Sequence, residues 1–271
     1  MTFHRPRREL SHARVLTAMA AAGLLLALAG CTDEQGSPGA TSTVTPPPVT
    51  VEGPGGSTGT PGSPSAVAAL GHLDAAALNT AVEQWASNFK GAQVNDQEKL
   101  RSQLPQAEKW LEGITVVPAT CGLYGLGNLK DQLGKADMAA VVFPAGEGGD
   151  LTVASYRDRD ALVADVGAQQ HLDESCGKYT VKADGQEITS TLTRLEATSS
   201  AAYTSVSMLE SVNGKFKSKR VSVRAIDGHV MVTATRTVTD TPEDATALAL
   251  GDAESLLEIL HGIQPEAAAA H

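Results

Sequence analysis

Apolar positions along this chain follow two different periods. From Ala75 to Phe89, Leu78, Val82, Trp85 and Phe89 recur on one stripe, the spacing of an amphipathic helix. Asp74 stands at the N-cap position, and Leu73 and Leu78 flank it as a hydrophobic staple. A second helical stretch covers Asp96 to Leu111, broken or kinked near Pro105, whose ring removes a backbone donor. Trp85 and Trp110 read as core anchors rather than ligand platforms. After Cys121 a short helix runs to about Leu133. The middle of the chain then alternates. Met138–Phe143 and Leu151–Tyr156 are apolar runs of strand length, joined by the glycine-rich loop Ala145-Gly146-Glu147-Gly148-Gly149-Asp150. Between this pair and the next strands, Asp158 to about Gln170 reads as a helix with Leu162, Val163 and Val166 inward.

From Lys178 the period is that of strands. Asp184-Gly185, Asn213-Gly214 and Asp227-Gly228 are hairpin signals, since these pairs supply the positive φ angles of a type I′ turn. With Asp184-Gly185 as a loop, Val181 faces Ile188 and Lys182 faces Glu187. With Asp227-Gly228 as a loop, Ile226 faces His229, Ala225 faces Val230, Val223 faces Val232 and Val221 faces Ala234. The apolar partners then share one side, while Ser222, Arg224, Met231 and Thr233 take the other. Thr241-Pro242-Glu243-Asp244 starts a last helix, to about His261, with Pro at the first helical position. Ala245, Leu248, Ala249, Leu256, Leu260 and Ile263 form its apolar face. The pattern predicts an α+β fold: an N-terminal helical part, an antiparallel β-sheet of about six or seven strands packed by helices, and a C-terminal helix.

The N-terminus carries a different signal. Arg5, Arg7, Arg8 and Arg14 precede an uncharged run from Val15 to Gly30. That run is short for a membrane span, which needs about 20 apolar residues. A basic flank, a short apolar stretch and small residues at its end mark a signal peptide. Leu28-Ala29-Gly30-Cys31 resembles the bacterial lipobox, in which cleavage precedes a lipid-modified cysteine. The resemblance implies a membrane anchor through lipid on Cys31, on the outer face of the cell membrane. The pair Arg7-Arg8 leaves open whether export uses the Sec or the Tat route. From Thr32 to about Ser65 the chain is mostly Gly, Pro, Ser and Thr. Such a composition cannot bury enough area to offset the entropy of ordering. The expected organisation is therefore a lipoprotein signal peptide at 1–30, a lipidated cysteine and tether at 31–66, and an extracytoplasmic α+β domain at 67–271.

Removing residues 1–30 leaves 17 basic and 30 acidic side chains, a formal charge of −13. An acidic surface argues against nucleic acid as a partner and against broad contact with anionic lipid. Aromatic residues make up 4% of the chain, so the core must be built from Ala, Val and Leu. With Cys31 assigned to lipid, Cys121 and Cys176 form an even pair in an oxidising compartment, which favours a disulfide. The other reading of these cysteines is a metal or reactive-thiol site near His171, Asp173 and Glu174. Without a second closely spaced thiol it is a poor zinc signature, and no metal or other cofactor is expected.

The lipobox, the Thr/Pro tether, Cys121 and Cys176 spanning a βα segment, and the late Val-Arg/Asp-Gly/Val-Met-Val hairpin together resemble the extracytoplasmic sensor domain of PknH-type mycobacterial receptor kinases. Actinobacterial lipoproteins share that domain. The resemblance covers about residues 67–265. It implies a cleft for an unidentified small ligand. The sensor domains of those kinases usually carry two disulfides, and only one is possible here.

Catalytic signatures are missing. There is no His-Glu-x-x-His and no P-loop ending on the glycine loop. The histidines after position 30 (His72, His171, His229, His261 and His271) are scattered, and His229 falls at a hairpin mouth where a solvated side chain is expected. The acidic pairs Asp158/Asp160 and Asp173/Glu174 read as exposed helix termini. No enzymatic activity is expected. One basic cluster stands out, Lys215, Lys217, Lys219 and Arg220. It is either a solvated strand whose lysines block edge-to-edge pairing or a docking site for an anionic ligand or partner. Two functions follow: a non-catalytic ligand-binding or sensor-type lipoprotein with a cleft for a small or lipidic ligand, or a cell-envelope lipoprotein that acts by protein contact alone.

Overall fold

The computed structural model describes residues 69–123, 126–144 and 148–269. The signal peptide, Cys31, the tether, residues 145–147 of the glycine loop and His271 lie outside the described residues. The described chain forms five α-helices around one antiparallel sheet of nine strands. Its helices are α1 (Ala75–Ala86), α2 (Gln97–Leu111), α3 (Leu126–Lys135), α4 (Arg159–Ser175) and α5 (Pro242–Ala269). Its strands are β1 (Gln93–Asn95), β2 (Thr115–Val117), β3 (Ala136–Val142), β4 (Gly149–Tyr156), β5 (Lys178–Ala183), β6 (Gln186–Leu195), β7 (Tyr203–Asn213), β8 (Phe216–Asp227) and β9 (Val230–Thr237). The order across the sheet is β1-β3-β4-β9-β8-β7-β6-β5-β2.

The sequence pattern accounts for β3 to β9 and misses β1 and β2. Each of these has three residues, too few for an alternation to show, and each lies on an outer edge. Pairing stops short on both edges. Where β1 ends, Gln97 of α2 accepts the Met138 N–H at 2.8 Å, so a side chain closes the ladder.

The faces of the sheet separate by parity. Val221, Val223 and Ala225 of β8, Val230, Val232 and Ala234 of β9, and Leu151 and Val153 of β4 point to one side. There α1 and α5 cover them with Leu78, Val82, Trp85, Leu256 and Leu260. The even-numbered neighbours Ile226, Ala154 and Tyr156, with Met231, point to the other, where α2, α3 and α4 contribute Leu100, Leu129, Leu133 and Leu162. Asp74 caps α1 by accepting the Ala77 N–H at 2.8 Å, and Leu73 and Leu78 are both buried. Asp96 caps α2 through Lys99 in the same way, and Pro105 lies inside that helix. Thr241 caps α5 through the Asp244 N–H.

Two apolar assignments need correction. Val163 and Leu248 are 59% and 58% exposed. Each sits beside the stripe that packs: Leu162 and Val166 on α4, Ala245 and Ala249 on α5. A helix that buries a narrow stripe leaves its flanking apolar residue in water.

The first hairpin has the expected register, Val181 opposite Ile188 and Lys182 opposite Glu187, with Asp184 and Gly185 at φ 49° and 76°. The other two turns shift by one residue. Asp227 pairs with Val230 and Asn213 with Phe216, so the loops are Gly228-His229 and Gly214-Lys215. Only the glycines take positive φ, 57° in both, which is the type II′ arrangement. At the last hairpin Val223 therefore faces Ala234, not Val232, and Val221 faces Arg236. The pair sum moves by two residues, an even step, and every side chain keeps its face. Gly228 is also required by its neighbour: a Cβ there would lie 1.9 Å from the Leu70 carbonyl oxygen.

Candidate ligand cleft under helix α4

Helix α4 is held to the sheet by few apolar groups. Leu162 is its one fully buried apolar side chain. Polar contacts supply the rest. Asp165 accepts from Lys135 Nζ at 2.9 Å and from the Tyr156 hydroxyl at 3.0 Å. Burial pushes the Tyr156 hydroxyl well above the ordinary phenol range, and the Asp165 carboxylate adds to this. The C-terminal end of α4 is fixed covalently. Cys176 is disulfide-bonded to Cys121 in the 3₁₀ turn at Ala119–Leu123, with a Cα–Cα distance of 5.6 Å. Tyr179 and Val181 are buried against this bridge.

Between the C-terminal half of α4 and the β6–β7 connection lies a cleft of about 690 Å³. Gln170 and Asp173 of α4, Arg194 of β6, Thr198 of the connection, and Tyr203 and Ser205 of β7 line it. Gln170 donates through Nε2 to the Tyr203 hydroxyl. Arg194 donates to the Gln170 carbonyl at 3.2 Å and pairs with Glu174 at 3.3 Å. Asp173 is the unusual member. Its side chain is 6% exposed, its closest cation is Arg224 at 3.9 Å, and its Oδ1 has no hydrogen-bond partner. Burial raises the Asp173 carboxyl above the usual carboxylate range, while Arg224 and Arg194 pull the other way. Burial likewise lowers Arg224, opposed by Asp173. A buried acceptor without a donor costs about 1–3 kcal/mol. The lining contains neither histidine nor cysteine, so it offers hydrogen bonds and charge rather than a nucleophile with its base.

Sequence reasoning missed this set. Asp173 was expected on an exposed helix end. Helix α4 continues five residues past Gln170, to Ser175, and the added turn carries Asp173 onto the sheet while Glu174 stays 63% exposed. Asp158 and Asp160 do lie at the exposed start of α4, where Asp158 accepts the Asp160 N–H. The lining residues come from three elements, and no spacing along the chain announces that they meet.

The basic cluster is divided by the fold. Arg220 points to one face and pairs with Asp150 at 3.0 Å, both partly buried. Lys219 points to the other and pairs with Glu210 at 3.0 Å. Lys215 and Lys217 are exposed at the β7–β8 turn. Strand β8 is internal to the sheet, and only its first residues run past the end of β9, which begins pairing at Arg220. His229 is not simply solvated. Its Nδ1 lies 2.9 Å from the Tyr156 carbonyl oxygen, and its backbone N–H donates to Leu70. Among the described residues, no group of three or more His, Cys, Asp and Glu is placed to hold a metal ion. No described helix is long and apolar enough to cross a membrane.

No protein-family model matches the chain, and no curated protein matches it in sequence. The solved structures that match include two mycobacterial proteins. The extracellular domain of PknH from Mycobacterium tuberculosis aligns with 69% of this chain and 98% of its own, at 10% identity and a TM-score of 0.48. An uncharacterised Rv0999 ortholog from Mycobacterium smegmatis aligns over the same shares, at 15% identity and a TM-score of 0.35. Likeness at this distance concerns the course of the chain and not a ligand, because sites are grafted onto folds.

Proposed function

We propose that this chain is an exported lipoprotein, anchored to the outer face of the cell membrane through lipid on Cys31, whose domain binds a small polar ligand without catalysis. The cleft under α4 carries this reading. Its volume suits a small molecule. Its lining sets hydroxyl, amide, guanidinium and carboxylate groups beside the apolar Leu195, Ala197 and Val206, and Asp173 holds an acceptor that the protein leaves unmet. A ligand that donates to Asp173 Oδ1 removes that deficit. The anchor is supported by the lipobox-like Leu28-Ala29-Gly30-Cys31 and the tether that follows. The cysteines also divide cleanly, since Cys121 and Cys176 bond to each other and leave Cys31 for the lipid.

Two measurements test the two halves. Replacing Cys31→Ser is expected to move the protein from the membrane fraction to the medium, and unchanged membrane retention contradicts the anchor. For the cleft, protein purified from its own host is compared by native mass spectrometry with a Thr198→Trp variant. Thr198 is an exposed rim residue, so the indole fills the opening and spares the core. Bound mass in the parent that vanishes in Thr198→Trp is the expected result. No bound mass, together with a co-purifying protein, favours the envelope-interaction reading instead.

A further inference from the structure

The β7–β8 turn is the feature the cleft does not use. Phe216 is 60% exposed, the highest value among the exposed large apolar side chains of the described residues. Lys215 and Lys217 flank it and are exposed. Pairing of β8 with β9 begins only at Arg220, so Phe216, Lys217 and Ser218 run past the end of β9 while still paired with β7. In a chain of formal charge −10, a bare aromatic ring between two cations is out of character.

We infer that this hairpin tip is a contact site for an anionic lipid surface, with the Phe216 ring entering the headgroup region and Lys215 and Lys217 held at the phosphates. Three considerations select a lipid surface. Lys215, Phe216 and Lys217 are all exposed, so they do not enclose a small anion. A stable protein interface takes about 800 Å² per partner, and a single turn offers far less. A bilayer deforms around a projecting ring, and lysine stems extend along apolar surface while their ammonium groups stay in water. Acidic lipid attracts juxtaposed lysines within a Debye length, so a local basic tip works where the acidic body as a whole does not.

The geometry sets one requirement. Leu70 lies against Gly228, at the opposite end of β8 from Phe216. At about 3.3 Å per residue, β8 is roughly 40 Å long. For the tip to touch a membrane, that membrane must therefore lie about 40 Å along β8 from Leu70.

The test uses the chain from Cys31 onward, coupled through the Cys31 thiol to a maleimide lipid in vesicles. Cys121 and Cys176 are disulfide-bonded and do not react. Coupling by chemistry makes the result independent of whether a cell lipidates Cys31. Phe216→Trp serves as the reporter, with the emission of Trp85 and Trp110 subtracted using the parent chain. In vesicles of phosphatidylcholine and phosphatidylglycerol, the reporter emission is expected to shift to the blue and to be quenched by brominated acyl chains. The effect is expected to disappear in pure phosphatidylcholine and in a Lys215→Glu/Lys217→Glu variant with an unchanged circular dichroism spectrum. Equal emission in the two kinds of vesicle overturns the inference, as does quenching that survives the double charge reversal. So does a reporter that stays water-exposed throughout, which is what a protein-docking tip would give.

Discussion

Arg236 carries a charge into the space between sheet and α5. It meets Asp252 through two hydrogen bonds, at 2.6 and 2.9 Å, and its guanidinium lies 3.8 Å from the centre of the Phe143 ring. Both side chains are 9% exposed. Removing one partner strands the other charge in a desolvated place, so Asp252→Ala is expected to cost about 3–5 kcal/mol in urea unfolding. A loss near that of a surface pair, about 1 kcal/mol or less, would contradict this. Gly228 is the backbone counterpart. An alanine there meets the Leu70 carbonyl and a positive φ together. Gly228→Ala is expected to lower stability by about 1–3 kcal/mol. It should also speed hydrogen exchange at the His229 amide, which donates to Leu70. That a turn falls at Gly228 was legible from the dipeptide alone. The Leu70 backbone that makes Gly228 irreplaceable was not, because it arrives from more than 150 residues away.

At the scale of elements, α4 shows how a helix can be placed without much apolar packing. Its register comes from Leu162, its midpoint from the Lys135–Asp165–Tyr156 contacts, and its end from Cys176. The disulfide spans 55 residues, for which the chain-entropy model gives about 4 kcal/mol at most. Cys121→Ser/Cys176→Ser is expected to lower the unfolding free energy by up to that amount. It should raise exchange first at amides near the C-terminus of α4, and uniform exchange would argue against a local clamp. Asp173 on the same element ties stability to pH. Its folded-state pKa lies above the unfolded value, so in the window between them the folded chain holds the additional proton. Stability then falls as pH rises through that window, from about 4 upward. Urea midpoints measured across this range are expected to lose part of that slope in Asp173→Asn. Superimposable pH profiles for the two proteins would show that Asp173 does not titrate as its burial requires. Helix limits in the sequence depended on periodicity, which fades where polar contacts replace apolar ones. That is why α4 seemed to end before Asp173.

For the molecule as a whole, the sequence by itself determined the periods, and the periods determined the class. Seven strands, the helix starts at Asp74, Asp96 and Thr241, and the two-sided character of the β8–β9 hairpin all follow from local alternation and capping chemistry. These are decided within a few residues, and they survive a two-residue error in register because the strand period is two. The pairing of Cys121 with Cys176 follows from counting once Cys31 is set aside. Tertiary structure decided the rest. It converted a run of basic residues into two ion pairs on opposite faces and one exposed tip, since successive side chains on a strand separate across the sheet. It also placed β1 and β2 on the edges, where three residues suffice because a neighbouring strand supplies the ladder. Above all it assembled the cleft. Gln170, Asp173, Arg194 and Tyr203 come from three elements, and Arg224 reaches Asp173 from a fourth. A site made by long-range approach leaves no period and no motif behind, because the free energy that places each residue comes from packing elsewhere in the fold.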